Sequence, residues 1–451
     1  MRVIAYKANV VHSLRLGELQ VLQPGLVGVN GHGMIEFVVD LTTSPVDMGH
    51  YDELVDLGEQ LLLPGFIDGH AHAPQHAFLG VGMHLPLLKW LETYTFPCES
   101  KFQNLDYAET IYEKAVRCHL KNGTTTCSYF GTVHLKACKV LVDIIEQVGQ
   151  RAYVGKVNMD RNASPALQED TQTSIDETRA FVRYVQSKKS TLLTPVITPR
   201  FVPSCSSKLM QALAEISKEH TPKLPVQSHL AENRDEIIWV KSLHPECRSY
   251  TGVYDDHGLF HERSYMAHCI WCNQHERALL REKQAAVIHC PSSNFSLSSG
   301  VLNVRRLLHE GIKVGLGTDV SGGYSPSMLD AIRQAIIASK LVANGNGSAN
   351  DDDEGGILYE PLTYAEAFYL ATTGSAEALG LSDQVGNFQV GKFFDALVIN
   401  PYTSNSPIDE TIDTVEAPDV LHTFQKFLFL GDDRNIVAVF VSGRRVIGSP
   451  C

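Results

Sequence analysis

Apolar positions along the chain fall into two regimes. Up to about residue 60 they come in short runs broken by Gly, Asn, Asp and Pro, which predicts strands joined by turns. "GLVGVNGHGMIEFVVD" (25–40) is the clearest case, with "NGHG" as a hairpin turn. From Leu61 onward, strand-length apolar runs alternate with longer segments of helical period. Eight such runs stand out: 61–70, 124–130, 151–160, 191–200, 224–232, 264–270, 285–293 and 313–319. Between them lie periodic segments such as "SIDETRAFVRYVQSKK" (174–189) and "SSKLMQALAEISKEH" (206–220). Nearly continuous apolar strands point to a parallel sheet buried on both faces. Eight of them with helical crossovers point to an α/β fold of the (β/α)8 barrel type. A doubly wound sheet is the rival, but no GxGxxG opens a helix after the first strand.

Past residue 384, strands return in "FDALVIN" (394–400) and "NIVAVFVSGRRVIG" (435–448). The expected organisation is therefore a barrel over 64–384 and one accessory β-domain assembled from 1–63 and 385–451. "TYAE" (363–366) fits a capping box opening a helix, and "NGNGSANDDDEGG" (344–356) reads as a surface loop.

In such a barrel, chemistry gathers at the C-terminal ends of the strands. The first run ends in "FIDGHAHAPQHAFL" (66–79), with His70 and His72 two residues apart. Their side chains alternate past Ala71 and so face the same way. The fifth run carries His229, the sixth ends at His268 and the eighth at Asp319. Imidazoles and a carboxylate gathered at one rim form a natural Zn²⁺ set. Glu232, three residues after His229, is either a solvated helix-start residue or a proton carrier beside the metal.

Two other motifs fall away. "CIWC" (269–272) lacks the second pair of a zinc finger, so Cys269 and Cys272 read as buried thiols. "GNFQVGKF" (386–393) has Phe393 where a P-loop needs Ser or Thr, and strand-like sequence follows it.

The 451 residues carry a net charge of −13, which disfavours a nucleic-acid partner and favours a small molecule. No apolar N-terminal stretch suits a signal peptide, and no run approaches the ~18 residues of a membrane span. The ten cysteines then read as thiols of a reducing, cytoplasmic setting.

The ordered set "PGFIDGHAH" (64–72), "SHLAEN" (228–233), "MAHC" (266–269) and "GLGTDVSGG" (315–323) resembles the amidohydrolase superfamily, in its mononuclear deaminase branch. "HAPQ" (72–75), "WLETYTFPCE" (90–99), "LKNGTTT" (120–126), "TPRF" (198–201), "HCPSSNFSLSSG" (289–300) and "SGGYSPSMLDAIRQA" (321–335) extend it from about residue 60 to the end.

The resemblance implies one Zn²⁺ per chain, held by His70, His72, His229 and Asp319, with His268 ligating it or holding its water. It implies Glu232 as proton shuttle, with Asp319 and His268 taking part in catalysis. The base would be bound by His72, Ala73, Pro74, Gln75, Arg200 and Phe201, together with His229, Glu232 and Asp319. It further implies hydrolytic deamination of a purine base, guanine, to xanthine and ammonia, a β-sandwich built from both chain ends, and a homodimer. Binuclear relatives use an inner-strand lysine, and the fourth run has none; Lys156 on the third reads as a salt-bridge partner. The rival readings are a deaminase for another aminopurine, a pterin or a triazine, a binuclear cyclic-amide hydrolase, and a metal-free binding scaffold.

Overall fold

In the computed structural model, which describes residues 2–43, 51–346, 359–408 and 419–448, Pro64 and Gly65 divide the first long apolar run in two. The run at 61–70 is thus not one barrel strand. Its first four residues end β4 (Glu53–Pro64), and the rest open β5 (Phe66–His72). Before them lie β1 (Val3–Arg15), β2 (Glu18–Asn30) and β3 (Ile35–Asp40), with the expected turn between β2 and β3. The barrel continues with β6 (Thr124–Phe130), β7 (Arg151–Gly155) and its extension β8 (Val157–Asn158), then β9 (Leu193–Pro195) and its extension β10 (Thr198–Pro199). It ends with β11 (Val226–Leu230), β12 (Ser264–His268), β13 (Ala286–His289) and β14 (Val314–Leu316). The chain then returns through β15 (Ala396–Ile399), β16 (Ile436–Val441) and β17 (Arg444–Ile447).

The barrel strands pair in parallel as two four-stranded arcs, β5-β6-β7-β9 and β11-β12-β13-β14. Backbone hydrogen bonds close both seams. Ile197 N–H donates to Pro225 O and Gln227 N–H to Ile197 O; across the other seam, Asp319 N–H donates to His70 O at 2.8 Å and His72 N–H to Val320 O at 2.8 Å. Helices cross over between strands as their periodicity predicts. Thr171–Ser187 is capped by Asp170 and Ser207–Lys218 by Ser206, whose side chains accept the N–H of Thr173 and Leu209. Thr363 and Glu366 form the expected capping box of the helix Tyr364–Leu370.

The two chain ends make one seven-stranded sheet, in the order β17-β16-β15-β4-β1-β2-β3. This is the β-domain anticipated from the strand-rich termini. A buried ion pair ties it to the barrel. Arg151, at the start of β7, donates from Nε and Nη2 to the Asp395 carboxylate and from Nη2 to Ser442 Oγ.

Two further expectations change. The run 285–293 is strand only to His289, and Pro291 then opens a helix, Pro291–Ser296. A helix, Val420–Leu430, lies between β15 and β16, where only strands were anticipated. Of the loop at 344–356, residues 347–356 lie outside the described residues. No helix among the described residues is long and apolar enough to cross a membrane.

His12 joins the two chain ends. Its Nδ1 accepts the N–H of Phe388, so Nε2 carries the proton and donates to Gln20 Oε1 at 2.8 Å. Burial holds the imidazole neutral, lowering its pKa from 6.5 to about 4. The unfolded chain takes up this proton near pH 6.5 and the folded chain only near 4, so stability present above 6.5 is lost as the pH falls through that window. At pH 5 the loss is about 2 kcal/mol. In thermal melts, His12→Gln should therefore lose less Tm than the parent between pH 7 and pH 5.

Candidate metal centre

At the C-terminal rim of the barrel, ligand atoms from His70, His229, His268 and Asp319 lie within 4.8 Å of one another, all buried. His70 Nε2 is 3.2 Å from Asp319 Oδ1, and His268 Nε2 is 3.7 Å from Asp319 Oδ2. His72 stands beside this group, its Nε2 3.1 Å from His229 Nε2 and 3.5 Å from Asp319 Oδ1. Residues far apart in the chain thus converge as the strand ends predicted.

The surroundings fix how the imidazoles face. His229 Nδ1–H donates to Arg200 O at 2.6 Å, and His268 Nδ1–H donates to Asn294 Oδ1 at 2.9 Å. A neutral imidazole carries one proton, so each turns a bare Nε2 inward. The Nε2 atoms of His70 and His268 are buried without any hydrogen-bond partner. Unsatisfied buried nitrogens are costly, and here they surround a carboxylate. That donor set fits a divalent cation.

Electrostatics agree for His229 and His72, whereas at His268 the carboxylates of Glu232 and Asp319 outweigh burial and raise the pKa. Burial pushes the pKa of His229 and His72 well below the usual imidazole value, with the charge of His70 adding to it. Burial works against ionisation of Asp319 too. The contact with His70 and the neighbouring imidazoles of His268 and His72 outweigh it and hold the carboxylate far below its usual range. Burial raises Glu232 to about 7, with His268 opposing and Asp319 adding to the rise. Glu232 is not a solvated helix residue: it is 4% exposed, 3.5 Å from His268 Nε2, and accepts a hydrogen bond from Ser299 Oγ.

A cavity opens over this group. Its lining includes His72, Gln75, Arg200, Phe201, His229, Glu232 and Asp319, and Leu87, Trp90, Leu91 and Leu297 supply an apolar roof. Arg200 and Gln75 converge on a residue the sequence reading passed over. Glu99, 1% exposed, accepts from Arg200 Nη1 at 2.7 Å and from Gln75 Nε2 at 3.0 Å. Ala73 and Pro74 are buried in a short 3-10 turn between His72 and Gln75. Phe201 packs edge-on against Trp239.

Other supports also went unread. Asp68 accepts from His70 N–H, Thr318 N–H and Thr318 Oγ1, binding the two strand ends that deliver His70 and Asp319. Tyr254 and Tyr250 donate to His229 O, and Tyr250 also donates to Glu236, which accepts the N–H of Glu232. A polar residue inside an apolar run is the only signal that marks Asp68 in sequence. Glu99 and Ser299 fall in segments that carry the family resemblance, but nothing in their pattern singles out either residue.

The remaining candidates behave as ordinary structure. Lys156 pairs with Glu169 at 2.5 Å. Cys269 and Cys272 are buried, and their mutual hydrogen bond, with burial, pushes Cys272 up.

Residues 61–446 match the amidohydrolase family. The chain belongs to the amidohydrolase family. This amidohydrolase is 44% identical to guanine deaminase of Dictyostelium discoideum over 454 residues, covering 98% of this chain and 97% of that one. It is 44% identical to guanine deaminase of Homo sapiens over 448 residues, covering 98% and 96%. It superposes with a TM-score of 0.89 on the crystal structure of guanine deaminase from C. acetobutylicum with bound guanine in the active site. That pair is 38% identical, and the match covers 98% of this chain and all (100%) of the other.

Replacing Asp68 with alanine strands three buried donors, at about 1–3 kcal/mol each. Asp68→Ala should lower Tm by about 3 °C or more by calorimetry, and elemental analysis should show less metal per chain.

Proposed function

We propose that this chain hydrolyses guanine to xanthine and ammonia, with one Zn²⁺ held by His70, His72, His229 and Asp319 and with His268 at the ion or at its water. The observation that carries the reading is the lining of the cavity. Glu232 and Asp319 line it beside the imidazoles, and Arg200 and Gln75 line it with side chains that carry N–H donors. Support also comes from full-length relatives at 44% identity that are guanine deaminases.

The reaction replaces the amine on ring carbon C2 with an oxygen from water, and the amine leaves as ammonia. When bound, the ion supplies a water that gives up a proton near neutral pH. The chain's residues do the rest. Asp319, held ionised, orients that water and accepts its proton. Glu232 is the residue whose burial lets it carry a proton near neutral pH. It protonates a ring nitrogen, which makes C2 more electrophilic; it then takes up the proton of the new C2 hydroxyl, which becomes the carbonyl, and passes it to the leaving amine, and the proton held by Asp319 returns to Glu232. Arg200 and Gln75 offer donors to the carbonyl edge of guanine; an adenine-type amine would set donor against donor there. Phe201 and the roof of Leu87, Trp90, Leu91 and Leu297 exclude water from the ring.

The reading extends to the whole chain. The single sheet formed by both ends supports a β-sandwich of 1–63 and 385–451 around a catalytic barrel of 64–384. Exposed Ile337, Phe429 and Leu430 lie on two helices linked by hydrogen bonds from Arg333 to Leu428 O and Gly431 O; this apolar patch supports a homodimer. Among the described residues, nine cysteines lie outside any disulfide, which supports a cytoplasmic setting.

Purified protein should release ammonia from guanine, lose that activity on dialysis against a chelator, and regain it with Zn²⁺. A substrate panel that finds a triazine or pterin turned over in place of guanine would overturn the reading. Glu232→Gln should keep its metal by elemental analysis and lose turnover by a factor of about 10² to 10⁴.

A further inference from the structure

Two residues that line the cavity, Gln75 and Arg200, depend on a carboxylate that does not line it. Glu99 ends the helical turn Phe96–Glu99, which follows the segment bearing Leu87, Trp90 and Leu91. Its two oxygens are spent on different partners, Oε1 on Gln75 Nε2 and Oε2 on Arg200 Nη1. The same turn holds Arg200 from a second direction, since the guanidinium lies 5.5 Å from the centre of the Phe96 ring.

The consequence for Gln75 is a matter of polarity. A glutamine amide can present either its oxygen or its N–H₂ to a ligand, and only its neighbours decide which. Here both neighbours are unambiguous. Gln75 Oε1 accepts the backbone N–H of Ser321 at 3.1 Å, and Nε2 donates to a carboxylate. The oxygen is thereby turned towards Ser321, and the group left for the cavity is the second N–H. Arg200 has donors only, and Glu99 fixes which of its N–H groups remain for the ligand.

We propose that Glu99 is a specificity-determining positioning residue, which holds Arg200 and fixes the amide of Gln75 so that the two offer donors alone, matched to a 6-oxo purine edge and mismatched to a 6-amino one. The inference rests on the substrate reading given above. Glu99 touches neither the metal group nor the reacting carbon, so its effect is on discrimination.

With Glu99→Gln, the group facing Gln75 and Arg200 can itself donate. Only the Ser321 N–H then fixes the Gln75 amide, which loosens its hold on the donor orientation, and Arg200 loses its charged partner. The test uses the zinc-loaded full chain with guanine and with 2,6-diaminopurine, which carries the same C2 amine but an amine at C6. Glu99→Gln should keep its metal content and lower kcat/KM for guanine, chiefly through KM. The preference for guanine over 2,6-diaminopurine should fall about tenfold or more. A purely structural role would slow both substrates equally, and an equal loss, or no loss, overturns the inference while leaving the substrate reading intact. Parent protein inactive on guanine overturns the substrate reading itself. Should Glu99→Gln fail to fold, Glu99→Asp decides. It keeps the charge but is one methylene too short to hold both partners, so the preference should fall; an unchanged preference overturns the inference.

Discussion

A group of buried imidazoles that point unprotonated nitrogens at one another around a single carboxylate is the constraint on which this molecule turns. His229 and His268 each spend their ring proton outward, on Arg200 O and Asn294 Oδ1, and so cannot spend it inward. His70 and His268 leave Nε2 buried with nothing to bond. Without a cation, the barrel rim concentrates desolvated lone pairs; with one, the same atoms become ligands whose orientation is already fixed. A metal-free scaffold has no use for that arrangement, which argues against the reading of a barrel that has lost its ion.

Holding those atoms so close requires the backbone to leave regular geometry. His268 and Asp319 both sit in the left-handed region, at φ of 72° and 48°, and Ala231 beside Glu232 is at 48°. Each such residue costs about 1–3 kcal/mol. The offset comes from beneath. Asp68 draws together the strand ends bearing His70 and Asp319, backbone hydrogen bonds lock the β5–β14 seam, and Tyr250, Tyr254 and Glu236 brace the turn after β11. The barrel closes where the ligands sit, so closure of the sheet and assembly of the site are one event.

This also explains what could be read from the chain beforehand. Ligands at strand ends interrupt apolar runs with His or Asp, so His70, His229, His268 and Asp319 were visible, and the run count gave the barrel. The supports were not, because their meaning is relational. Glu99 is an ordinary glutamate in a helical stretch until the fold brings it between Gln75 and Arg200, whose chain positions are distant from each other. The boundary at Gly65 was hidden for a related reason. Residues 61–64 and 66–72 are both fully buried strands, and burial alone does not say in which sheet. The helix Val420–Leu430 lies between two strand-forming runs and packs Phe424 and Phe427 against the barrel's outer helices, so its apolar content carried no distinctive label.

Five buried carboxylates surround the site, and their neighbours alone give each a different task. Asp68 accepts from two backbone N–H groups and a hydroxyl and acts as a strut. Asp319, facing imidazoles, is held ionised. Glu232 is desolvated near Asp319 and Glu236, with one hydroxyl donor from Ser299, and its pKa rises until it can move a proton near neutrality. Glu236 is desolvated too and its pKa is raised, though Tyr250 and the backbone N–H groups at Glu232 and Asn233 oppose the rise. Glu99 divides its oxygens between an arginine and an amide. Acid chemistry near neutral pH and recognition of a carbonyl edge thus come from one functional group, sorted by burial and by whether its neighbours donate or repel. That sorting is why removing charge at Glu232 and at Glu99 has separable consequences, one on the proton and one on the choice of base.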